Sequence, residues 1–258
     1  MLTGKKQGND AMKFYEYGNK NNPAVLYIHG MGCDVLKSFQ VPTEVLQKDY
    51  RIIAAALDGY DGEASAFSSI HEQAEKIATF LNKNYHGSVY AVIGMSMGGF
   101  IALDLLCRYG ITAEKLLLDS GYTDNLPFAK LIASAVSWGF DCLLHDKHRR
   151  LVKSGMKMMM GYCFDKKDLH DNPSRQTIYN SEYACMTYTL PDNLGALQNC
   201  RVTYLYGEKE KQMIKGMHTL KAYLPDLEEI SWGNVGHGEI MAEKPKLYAE
   251  MLKKLLIN

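Results

Sequence analysis

Apolar positions in this chain fall in short runs that alternate with longer stretches of helical period. The runs at 24–28, 51–57, 88–93, 115–119, 201–206 and 228–232 are mostly aliphatic or β-branched, as strands buried on both faces should be. Between them, Ser69-Ile70-His71-Glu72 reads as a capping box, with Ile70, Ala74, Ile77 and Leu81 recurring at helical spacing. Residues 97–109 are apolar almost all round and stop at Gly110, which predicts a buried helix with a glycine just past its end. A last helix opens near Pro245 and is expected to turn Leu247, Met251, Leu252, Leu255 and Leu256 to one face. The alternation predicts an α/β fold: a parallel, doubly wound sheet covered by helices on both sides. It breaks once. From Tyr122 to about Asn199 no strand pattern appears, so 122–199 is expected to be an inserted helical cap, with 1–121 and 200–258 forming the core domain. Residues 1–11 read as a flexible leader, because strand pattern begins only at Met12.

Composition narrows the class. A chain of 258 residues suits one large domain or a core with one lobe. Lys and Arg number 29 against 29 Asp and Glu. Zero net charge argues against nucleic acid as a partner, since displacing counterions from phosphates needs a basic surface. The one basic run, Lys147 to Arg150, reads as a solvated helix face. Six cysteines lie scattered with no CxxC pair, unlike a secreted disulfide scaffold. The first dozen residues lack the apolar core of a signal peptide, and the run 52–57 is too short to span a bilayer. The expected location is therefore the reducing cytoplasm, with no membrane partner.

Chemistry concentrates at three places. Gly94-Met95-Ser96-Met97-Gly98-Gly99 follows a strand and opens a helix. A G-x-S-x-G turn so tight holds the serine in a strained backbone with its hydroxyl exposed, and small residues on either side let the chain segments pass. GxxxxGK[ST] is absent and GxGxxG would need glycine at Ser96, so nucleotide readings fail. His29-Gly30-Met31-Gly32 ends the first strong strand. Its glycines allow the Met31 N–H to join the Met97 N–H as an oxyanion hole, worth about 3 kcal/mol per donor, while His29 reads as a buried structural histidine. The candidate base is His237, in a glycine-flanked loop between the last strand and the last helix, at the sheet edge where ligands bind in open α/β folds. His145 and His148 could mimic a metal pair, but no third ligand is evident, and neither metal nor cofactor is expected. The carboxylate that orients the imidazole has three candidates: Glu210 first, Asp119 at the end of the strand after Ser96, and Glu208.

Taken together, HGMG at 29–32, GMSMGG at 94–99, GEKE at 207–210 and GHGE at 236–239 resemble the oxyanion loop, nucleophile elbow, acid loop and histidine loop of the α/β-hydrolase superfamily, in family order and across residues 13–257. Glu210 departs from the aspartate more common there, which keeps Asp119 open, and the N-terminal region is short. The resemblance implies an eight-stranded, mostly parallel sheet trimmed at its first strands, with a helical cap over the active site. It implies a serine hydrolase, read as a carboxylic ester hydrolase of esters or thioesters through an acyl-enzyme on Ser96; the aromatic and methionine content of 122–199 is what points to small to medium, largely apolar acyl groups. Carbon–carbon bond hydrolysis, perhydrolysis and acyl transfer on the same triad remain open, as does a non-catalytic small-molecule receptor. The oligomeric state is not legible. Met156, Met158, Met159 and Met160 are expected mainly in the lobe's core; the alternative is an adaptable apolar pocket wall, with Met158, Met160, Tyr183 and Met186 as the residues to probe.

Overall fold

The computed structural model describes residues 12–60, 66–164 and 172–257; the proposed leader, 1–11, and His170 lie outside them. Chain order begins with β1 (Lys13–Tyr17), β2 (Ala24–Ile28), α1 (Val35–Ser38), α2 (Gln40–Leu46) and β3 (Arg51–Ala56). Then come α3 (Ile70–Tyr85), β4 (Ser88–Met95), α4 (Met97–Arg108) and β5 (Thr112–Asp119). The segment expected as a cap carries α5 (Ala129–Leu144), α6 (Arg149–Met160), α7 (Arg175–Met186) and a 3₁₀ turn at Leu194–Leu197. The chain closes with β6 (Arg201–Gly207), α8 (Lys211–Tyr223), β7 (Glu228–Trp232), α9 (Glu239–Glu243) and α10 (Pro245–Ile257).

The seven strands pair in the order β1-β3-β2-β4-β5-β6-β7. Only β1 is antiparallel, to β3; the other pairs are parallel. Among the described residues the sheet thus has seven strands rather than the eight implied by the resemblance, because one strand alone precedes Ala24 and it takes the edge. Period-2 alternation explains the double winding. On β2, Leu26 and Ile28 pack beneath α3 and α4, whereas Val25 and Tyr27 pack beneath α2 and α10. Each fully buried aliphatic side chain contributes about 1.5–3 kcal/mol.

Three local expectations change. Ser69 caps α3 by accepting the Glu72 N–H at 3.1 Å, but the Glu72 carboxylate turns to Lys76 at 2.9 Å instead of closing the box. The buried face of α10 is Tyr248, Ala249, Leu252 and Leu256, and Leu247 is exposed; it lies about 140° round the helix from Leu252. β4 and β5 are longer than their apolar runs, since pairing continues through Met95 and back to Thr112. Among the described residues no helix is long and apolar enough to cross a membrane.

Candidate active site

The parallel register brings the chemistry to one edge. Met95 pairs with Asp119, Asp119 with Leu205, and Gly207 with Trp232. The loops that follow β4, β5, β6 and β7 therefore leave the sheet side by side, carrying Ser96, Ser120, Glu210 and His237.

Ser96 sits between β4 and α4 at φ 50°, ψ −120°, a conformation costing a non-glycine residue about 1–3 kcal/mol. Its surroundings over-determine it. The Ser96 N–H donates to the Asp119 carbonyl at 2.8 Å. A Cβ on Gly94 would stand 2.6 Å from the Gly98 carbonyl oxygen, and one on Gly98 would overlap the Ile28 carbonyl. These glycines are close-approach positions, so the elbow can press against β2 and hold its serine outward.

His237 follows β7 and is almost fully buried. Its Nε2 lies 2.9 Å from Ser96 Oγ and its Nδ1 2.7 Å from Glu210 Oε2. Glu210 is fixed in turn: its Oε1 accepts the Gly207 N–H at 2.7 Å and the Ser120 hydroxyl at 3.1 Å. With Nδ1–H directed to a carboxylate, Nε2 is left to accept from Ser96 Oγ. Burial by itself would lower the pKa of His237. The charge and hydrogen bond of Glu210 oppose this most, followed by the charges of Asp119 and Glu182, and the net effect raises it.

The other candidates lie elsewhere. Asp119 is buried and sits in the field of both Glu210 and His237, but the imidazole's hydrogen bond goes to Glu210. Burial above all pushes the Asp119 carboxyl up to about 6, the nearby Tyr248 hydroxyl pulling the other way. The Glu208 carboxylate accepts the Asn234 N–H at 3.2 Å. Fully buried, His29 accepts the Leu57 N–H on Nε2 at 3.2 Å and places Nδ1 2.8 Å from the Gly30 carbonyl, a structural role. His145 bonds the Asp141 carbonyl while His148 tilts against Trp138; among the described residues no group of three or more His, Cys, Asp or Glu could hold a metal ion.

Ser96 and His237 open into a cavity of about 850 Å³, which Met31 and Met97 also line. Gly30 abuts Ser96: a Cβ there would lie 3.1 Å from Ser96 Cβ. The opposite wall comes from 122–199, with Val136 and Phe140 of α5, Met158 to Met160 of α6, and Met186 of α7. Met158, Met159 and Met160 thus wall the cavity rather than filling a lobe core, because α6 buries only Val152. Met156 alone packs on the small cluster of Cys142, Leu143 and Val152. Tyr183 stacks on Tyr179 and is not part of the cavity wall. The helical segment also touches the His237 loop directly: the His237 N–H donates to the Met160 carbonyl at 2.8 Å, and a Cβ on Gly236 would overlap Gly161.

Two residues of the site carry no motif. Ser120 follows Asp119 without any flanking signature. Glu182 on α7 lines the cavity; its sequence signal is a carboxylate sharing a helical face with Ile178, Cys185 and Met186, all buried.

No protein-family model matches the chain, and no curated protein matches it. Solved structures do. An α/β-hydrolase family protein from Desulfitobacterium hafniense is 23% identical, with 95% of this chain and 100% of that one covered at a TM-score of 0.80. The esterase EaEST from Exiguobacterium antarcticum is 18% identical over 100% of both chains, at 0.77. The strand order, the serine turn after β4 and these likenesses agree that the chain has the α/β-hydrolase fold.

Proposed function

We propose that the protein is a serine hydrolase of carboxylic esters or thioesters that works through an acyl-enzyme on Ser96. One observation carries the reading: Ser96 Oγ, His237 and Glu210 form a continuous hydrogen-bonded relay of 2.9 and 2.7 Å at the floor of a large cavity. His237 Nε2 takes the Ser96 proton as Oγ attacks the carbonyl carbon, and Glu210 stabilises the imidazolium that forms. The N–H groups of Met31 and Met97 receive the oxyanion, the donors that matter most as charge develops. The tetrahedral intermediate collapses as His237 returns the proton to the leaving group. Water, deprotonated by the same imidazole, then releases the acid and restores Ser96. No cofactor enters any step.

Residues 122–199 act in this reading as a cap over the core of 1–121 and 200–258. They exclude water and shape the acyl site, and the apolar wall favours small to medium apolar acyl groups. The substrate is a small molecule, with neither nucleic acid nor membrane required. All six cysteines are thiols rather than disulfides, which suits a reducing cytoplasm. The esterase named among the structural likenesses belongs to the same reaction class. A fluorophosphonate probe tests the reading: it should label the protein at Ser96 with a matching loss of p-nitrophenyl acetate hydrolysis. A protein that neither labels nor turns over such esters is a receptor on this fold.

A further inference from the structure

Two acids in the cavity wall are left unused by the hydrolytic steps, Glu182 and Glu208; Glu208 is exposed and accepts the Asn234 N–H, so Glu182 is the buried one. Its side chain belongs to a residue only 8% exposed, and it faces the space that Ser96 and His237 also face. Its helical neighbours on that side, Cys185 and Met186, are apolar, as are Phe100, Val136 and Phe140 across the cavity. Among the described residues nothing hydrogen-bonds to its carboxyl group, and none of the cavity lysines 157, 209 and 211 forms an ion pair with it. A buried polar group without a partner costs about 1–3 kcal/mol, more when charged, so an acid retained there calls for a partner that arrives with the ligand.

We propose that Glu182 is a specificity residue that accepts a hydrogen bond from a hydroxyl group on the alcohol portion of the ester, so that the enzyme prefers esters of diols or polyols to esters of simple alkanols. This rests on the hydrolase reading given above. Three features of the cavity select the hydroxyl. An anionic substituent would face the Glu182 carboxylate. An ammonium group would meet three wall lysines, Lys157, Lys209 and Lys211, against one exposed acid, Glu208. A neutral hydroxyl suits either protonation state, and burial has pushed this carboxyl up to about 7, so both states are populated near neutrality. The position selects the alcohol side. Glu182 and His237 line the same cavity, and the imidazole must stand beside the leaving oxygen to protonate it, so an alcohol leaving at His237 is placed to meet Glu182.

Acid release from 2-hydroxyethyl butyrate and from propyl butyrate compares two esters of equal length that differ by one hydroxyl. The wild-type protein should favour the hydroxyethyl ester by about 10- to 100-fold in kcat/KM, the range for a hydrogen bond to an ionisable buried group. Glu182→Leu should bring the ratio near one, whereas Glu182→Gln, which keeps the shape and an acceptor oxygen, should retain most of it. A wild-type ratio near one, or an unchanged ratio in Glu182→Leu, overturns the assignment. So does a preference for choline butyrate over the hydroxyethyl ester, which would mark a cation site. p-Nitrophenyl acetate separates the two levels: turnover of that ester without hydroxyl preference removes only the role of Glu182, and its complete inertness removes the hydrolase reading as well.

Discussion

The floor and the roof of the cavity are built differently. On the floor, Ser96, Glu210 and His237 are tied by direct hydrogen bonds and stand on turns where close backbone packing excludes a Cβ at Gly94, Gly98 and Gly207. The roof is looser. α6 buries only Val152, and Met158 and Met159 are 84% and 55% exposed. The two meet at the bond from His237 N–H to the Met160 carbonyl. Rigid placement is what a nucleophile, base and acid need, since small misplacements cost large factors in rate. Polarisable, rotatable thioethers are what an adaptable acyl site needs. Changes to the floor should therefore abolish turnover, while changes to the roof should redirect it.

The largest effect belongs to Ser96→Ala, which should lower kcat by about 10⁶-fold and abolish fluorophosphonate labelling without unfolding the protein. Labelling that persists would move the nucleophile elsewhere and dissolve the distinction. Next is Glu210→Gln, expected to cost about 10⁴-fold in kcat with little change in KM, by loss of the imidazolium partner and the correct tautomer. Asp119→Asn should cost far less, because its carboxylate does not hold the imidazole. The opposite ranking would make Asp119 the working acid.

The same contrast runs through what the sequence made legible. Floor residues announce themselves, because a strand-to-helix turn around Ser96 and a glycine loop around His237 demand particular residue types at fixed spacings. The sheet was equally readable, since its strands are continuous apolar runs; β4 outran its run at the end and β5 at the start, because backbone pairing continues beyond the aliphatic residues. Glu210 could be ranked but not separated from Asp119, as both follow parallel strands and only the fold shows which reaches His237. Roof residues leave weaker traces. Whether Met158 faces a core or a cavity depends on how α6 is placed, and Tyr183, a residue to probe under the pocket-wall alternative, stacks on Tyr179. Glu182 had a signal, a carboxylate on an otherwise buried helical face, that motif reading does not seek.

A smaller effect crosses the seam. His237 must be neutral to accept the Ser96 proton, so kcat/KM should fall as pH drops through its pKa. Because that pKa is raised, the acid limb should lie above the ordinary histidine value of about 6.5. The linkage to stability has the opposite sign: protonation of a group whose pKa is raised in the fold favours the folded state, and that contribution fades as pH rises through the folded value. Glu182→Gln removes a negative charge from the roof and should move the limb to lower pH, by less than the shift from Glu210→Gln. An unmoved limb would mean that roof and floor are electrically independent.

The smallest changes should come from the roof's methionines, and they distinguish wall from scaffold. Met158→Ala and Met160→Ala remove thioethers that face the cavity. Met158 is so exposed that its truncation should alter stability by under about 0.5 kcal/mol. The bond to His237 uses the Met160 backbone carbonyl, so it survives loss of the side chain. With the triad intact, p-nitrophenyl acetate should be hydrolysed at close to the parent rate. The larger esters are where the wall matters: each truncation should shift the optimum toward longer acyl chains, by a few-fold in kcat/KM between butyrate and octanoate, as expected for a methylene or two of apolar contact. Tyr183→Ala serves as the internal contrast, since that ring lies outside the wall and should leave the profile unchanged. If the methionine variants keep the parent profile while Tyr183→Ala alters it, the cap selects substrate through α7 rather than α6.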